Sequence, residues 1–143
     1  MRYILSCLLV VSYFLFPRYC YVWADGDLCN HFLYSFSHVN IFHLGVNILC
    51  LLLLRCPLRF FESYLCCVFC SFLPSWSGDT CGFSGYLFAM VGISWGRIGL
   101  FKMMIEKNVW YLVIPLFIPG VNGLLHLYCL LLGYFVGYGS RDK

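Results

Sequence analysis

The stretch Cys81 to Gly92 reads CGFSGYLFAMVG, with Ser84 set between Phe83 and Gly85 at the mouth of a long apolar run. A hydroxyl in an apolar medium is costly unless it finds a partner. Ser84 therefore either bonds back to its own helix or meets a group from elsewhere in the chain. In the second case it is a candidate nucleophile, and the group that activates a serine is a neutral imidazole. Beside it Gly85, Ala89, Gly92 and Gly96 recur at three or four residues, which makes a smooth helix face suited to close packing.

The whole chain has 143 residues, 62% of them hydrophobic and only 10% charged. Such a composition cannot supply a polar surface, so a soluble domain is excluded and an integral membrane protein embedded in the lipid bilayer is expected. A membrane helix needs roughly 20 mainly apolar residues. The length then allows six transmembrane helices with short loops, an all-α polytopic bundle forming a single domain over residues 1–143. The net charge of +3 is spread among loops and implies no nucleic-acid partner. Most of the ten cysteines lie in apolar runs and read as small packing residues. Cys67-x-x-Cys70 has no second Cys or His pair near it, so no metal is expected.

In order along the chain, residues 3–16 make the first span, read as retained and not as a cleaved signal. Residues 18–36 make the first loop, with Cys20 and Cys29 as a possible disulfide pair that the sequence leaves open. The second span runs from about Ser37 to Leu54 and the third from Leu58 to Pro74. Residues 75–80, SWSGDT, form a turn-rich loop. The fourth span opens at Ser84 and ends near Gly99. The fifth, residues 108–118, is short and contains Pro115, which makes it a candidate moving gate. The sixth runs to about Tyr138. Six spans with both termini cytoplasmic put Arg2, Arg55, Arg59, Arg97, Lys102, Lys107, Arg141 and Lys143 inside and leave only Arg18 outside, the positive-inside pattern.

On that topology spans two, four and six run inward, and His43, Ser84 and His126 fall at a common depth of roughly 5–10 Å at 1.5 Å per residue. Ionisable groups inside a membrane are by default functional candidates. His126 heads a stripe of Cys129, Gly133 and Gly137 that matches the one beside Ser84. The two faces together bring the serine within reach of the imidazole. Of the six acidic residues only Asp79 is close to Ser84 in sequence, so the expectation is a Ser84–His126 dyad with Phe88, one turn on, stacked on the imidazole. His43 and Asn47 are four apart and share a face, from which they can donate to a developing oxyanion. His38, nearer the surface, ties down the first loop.

These blocks resemble the rhomboid family of intramembrane serine proteases: His38-x4-His43-x3-Asn47, Gly82-Phe83-Ser84-Gly85 with Ala89 and Gly92, and His126 with Gly133. The resemblance implies a six-span rhomboid-like fold and Ser84 and His126 as the catalytic dyad. It also implies an oxyanion site from His43, Asn47 and the Ser84 amide, with His38, Gly82, Gly85 and Phe88 in support and no metal or cofactor. The substrates it implies are transmembrane proteins cut in or near their membrane segments, at an active site opening to the extracytoplasmic side of the cell membrane. Three departures stand out: Cys129 replaces a usual glycine, Phe88 a frequent tyrosine, and the short first loop lacks a Trp-Arg pair. A catalytically silent rhomboid-like protein that binds transmembrane clients is the alternative. A small channel or transporter is a third reading, disfavoured because no span carries a relay of charged residues.

Overall fold

The structure is a computed structural model that describes residues 1–15, 27–75, 80–99 and 121–141. Among these residues it is all-helical: α1 (Arg2–Leu15), α2 (Leu28–Leu33) running into a 3-10 turn (Tyr34–Phe36), α3 (Ile41–Leu53), α4 (Phe60–Ser71), α5 (Ser84–Ile98) and α6 (Gly123–Tyr138). Five of these fall where the apolar runs place spans. The sixth, α2, lies in the stretch expected to be loop and carries Cys29, while the expected fifth span, Cys20 of the possible Cys20–Cys29 pair and Asp79 lie outside the described residues.

The helix at residues 28–33 has a local cause. The Asp27 carboxylate accepts from the Cys29 amide at 3.2 Å and caps the first turn. His31 and Tyr34, three apart and so on one face, then seat the segment on α4. The His31 Nδ1 lies 2.8 Å from the Ser71 hydroxyl, and the Tyr34 hydroxyl donates to the Cys67 carbonyl at 3.0 Å. Ser71 in turn donates to the Val68 carbonyl at 2.6 Å, so its proton is engaged and His31 is a structural pin. A bend of 72° separates this segment from α3, which starts at Ile41 because the Asn40 side chain accepts from the His43 amide at 2.8 Å.

The tightest contact in the fold is α5 against α6. A Cβ on Gly92 would come closer than 3.0 Å to the Leu130 carbonyl oxygen, and one on Gly133 would do the same to that of Ala89. Gly96 against Tyr134 and Gly137 against Ile93 repeat the contact further along. Backbone therefore lies on backbone along the two stripes. Helix α4 packs on both α5 and α6, and α1 packs on α3. Tyr34, Phe83, Tyr86, Met90 and Leu125 fill the space between them and are fully buried.

No single described helix is long and apolar enough to cross a membrane, although the bent pair Leu28–Phe36 and Ile41–Leu53 meets the length and composition together. The outward faces are apolar all the same. Ile4, Leu8 and Leu15 of α1, Phe42 and Leu53 of α3, and Phe61, Leu65 and Phe69 of α4 are exposed, where a helix facing water carries polar side chains.

Candidate functional site

Ser84 is the first residue of α5. The amides of that first turn have no intrahelical acceptor and point out of the helix at its positive end. Two contacts from the α2–α3 segment fix the approach to it. The Gly82 amide donates to the Tyr34 carbonyl at 2.9 Å, and the Phe83 amide donates to His38 Nε2 at 3.4 Å. Gly82 has φ 123°, a conformation open to glycine and strained for other residues. A Cβ there would also lie 2.5 Å from Cε1 and 2.8 Å from Nε2 of His43. The chain can turn under the His43 ring only at a glycine.

His126 enters from the first turn of α6, whose start is capped by Asn122. Its Nε2 lies 2.7 Å from Ser84 Oγ across 42 residues of sequence. The Phe88 ring stacks on the imidazole, 4.5 Å between centroids and 8° from parallel, which holds the ring plane that the hydrogen bond needs. His126 is buried, and its Nδ1 has no hydrogen-bond partner among the described residues. With the proton on Nδ1, Nε2 is free to accept from the serine hydroxyl, an arrangement able to raise the nucleophilicity of the serine.

The remaining expected site residues are placed as follows. His43 sits over Gly82, two residues before Ser84. Asn47 is buried on the same helix, and its amide donates to the His43 carbonyl at 3.0 Å. That bond uses one of its two N–H groups and leaves the second for another acceptor. His38 is the more buried of the two histidines at 1% exposure and packs edge-on against His43 at 5.3 Å. The bend before α3 folds its ring inward against residue 83. Gly85 packs against two thiols: a Cβ there would lie 3.0 Å from Cys67 Sγ and 3.4 Å from Cys129 Sγ. Cys129 thus fills the space beside Gly85, and α5 and α6 still touch backbone to backbone one turn further on. Among the described residues no group of His, Cys, Asp or Glu is arranged to hold a metal ion.

Sequence reasoning missed Tyr34, His31 and Asn122. Asp27 ahead of an apolar segment was the available signal for the first two, as a helix N-cap. Asn122 carried the same signal ahead of α6. Comparison with protein-family models, with curated proteins and with solved structures finds no match.

Proposed function

We propose that the chain is a rhomboid-like intramembrane serine endopeptidase, cleaving transmembrane protein substrates in or near their membrane segments. The observation that carries this reading is the 2.7 Å contact between Ser84 Oγ and His126 Nε2 under the stacked Phe88 ring. In the reaction His126 Nε2 takes the serine proton as Oγ attacks the substrate carbonyl. The oxyanion is held by the Ser84 amide at the head of α5, with His43 and Asn47 as further donors. The protonated imidazole then gives its proton to the leaving amine, and water, deprotonated by the same Nε2, releases the acyl group and restores Ser84.

The apolar outward faces support a lipid environment, with both termini cytoplasmic and the dyad near the extracytoplasmic side of the cell membrane. Helices of 12 to 16 residues are about 18–24 Å long at 1.5 Å per residue, against a hydrocarbon core of roughly 30 Å. This placement requires local thinning of the bilayer, or flanking apolar residues that complete the crossing.

The test is labelling of the detergent-purified protein with a fluorophosphonate, followed by mapping of the adduct. Modification of Ser84 alone is the expected result. A folded, unreactive protein sinks the protease reading and favours the client-binding one. Gly82→Ala is expected to abolish labelling while most of the helical circular-dichroism signal remains, because the added methyl displaces the His43 ring and forces residue 82 out of its turn. Labelling at the wild-type rate would show that the turn before Ser84 has no part in the site.

A further inference from the structure

We infer that Asn122 is a positioning residue: it clasps the chain entering α5 to the start of α6 and so sets the separation of Ser84 and His126. The inference rests on the dyad proposed above. Asn122 is 7% exposed, and among the described residues its side chain bonds to three different places. Oδ1 accepts from the Leu125 amide at 3.0 Å and from the Ser75 hydroxyl at 3.0 Å, and Nδ2 donates to Thr80 Oγ1 at 2.9 Å. The first bond caps α6. The other two hold both ends of the 75–80 loop, which capping does not require.

The placement is symmetrical in sequence. Thr80 stands four residues before Ser84, and Asn122 four residues before His126. Toward the other ends of the two helices the pair is held by backbone contact, beginning at Ala89 on Gly133 and Gly92 on Leu130. Above the pair that contact does not exist, because Ser84 is the first residue of its helix. The Tyr34 and His38 hydrogen bonds locate residues 82 and 83 relative to the α2–α3 segment, not relative to α6. Among the described contacts, the Thr80–Asn122–Ser75 clasp is what refers the entry to α5 directly to the helix that carries the base. A second tie in the same place, from the Tyr128 hydroxyl to the Pro74 carbonyl at 3.2 Å, holds the end of α4 to α6. A misplacement of about 1 Å in a reacting pair costs on the order of 10²-fold in rate, so this clasp has leverage on the chemistry that its modest hydrogen bonds do not have on stability.

The experiment measures the rate of Ser84 labelling by a fluorophosphonate, the thermal unfolding midpoint, and kcat and KM on a transmembrane substrate, all with the full chain in bicelles. Thr80→Val removes the acceptor at constant size, whereas Thr80→Ser keeps it. Thr80→Val is expected to lower the labelling rate and kcat about 10-fold or more with KM unchanged, and Thr80→Ser to stay within about twofold of wild type. Asn122→Ser keeps a good helix cap but is too short to reach the loop, and it is expected to fall at least as far as Thr80→Val. The double variant should be no slower than Asn122→Ser alone, since both break one clasp.

A reactive wild type with an unaffected Thr80→Val variant overturns the clasp and leaves the dyad standing. Equal losses in Thr80→Val and Thr80→Ser, in parallel with falling midpoints, also overturn it, as a merely structural effect. An unreactive, folded wild type overturns the dyad and the clasp together.

Discussion

His126→Ala is expected to lower the rate at which a fluorophosphonate modifies Ser84 by about 10²–10⁴-fold, the usual contribution of a positioned general base. The serine itself is untouched in this variant, so the loss reports its activation. Without Nε2 at 2.7 Å, the Ser84 proton has no acceptor among the described side chains, and at neutral pH an alcohol is a poor nucleophile. Alanine also leaves a gap under the Phe88 ring, so His126→Gln, closer in volume and a weaker base, separates lost packing from lost basicity. Both variants should lose labelling to a similar degree, while His126→Gln retains more of the thermal stability. Wild-type labelling in His126→Gln would show that the imidazole orders the helices and takes no part in the chemistry.

The second large effect is on assembly. Gly92→Ala adds one methyl group where the Leu130 carbonyl oxygen would lie closer than 3.0 Å and the Tyr134 amide next to it. Both obstacles are backbone, so no rotamer change relieves them and α5 must part from α6. Overpacking of this kind costs roughly 1–3 kcal/mol and occasionally more, and the rigidity of both partners puts Gly92→Ala at the upper end. The separation also opens the Ser84–His126 contact, because both residues lie on the same two helices, within about two turns of the clash. Gly45→Ala is the matched control. Gly45 lies within α3 with nothing within 4 Å of its added methyl, so the same substitution is expected to stabilise by about 0.5–1 kcal/mol through helix propensity. Unfolding in mixed micelles, followed with Ser84 labelling, measures both. Equal effects from the two substitutions would mean that the glycine stripe is not what holds α5 to α6.

The helices themselves were readable because apolar length and caps are local properties. The runs at residues 3–16, 84–99 and 124–138 become helices with nearly those bounds, and Gly99 stops α5 in a left-handed turn at φ 70°. The segment at 28–36 was misread as loop. Its helical turn is short, and it is seated on α4 through His31 and Tyr34, contacts made across 33 to 40 residues.

By itself the sequence determined which residues share a helix face: Ser84 with Phe88, His43 with Asn47, His126 with Cys129 and Gly133. Periodicity along one helix follows from its geometry and needs no partner. The tertiary structure alone decided which faces meet and at what register. Gly92 lies on Leu130 and Gly133 on Ala89, and that register places Ser84 Oγ 2.7 Å from Nε2 of His126. It also joined Asn122 to Ser75 and Thr80, since a cap can be read from one segment while these bonds require residues that a different part of the fold brings to it. The physical reason is that contacts between helices depend on fixed separations across the whole fold, whereas a sequence records directly only what neighbours along the chain can do.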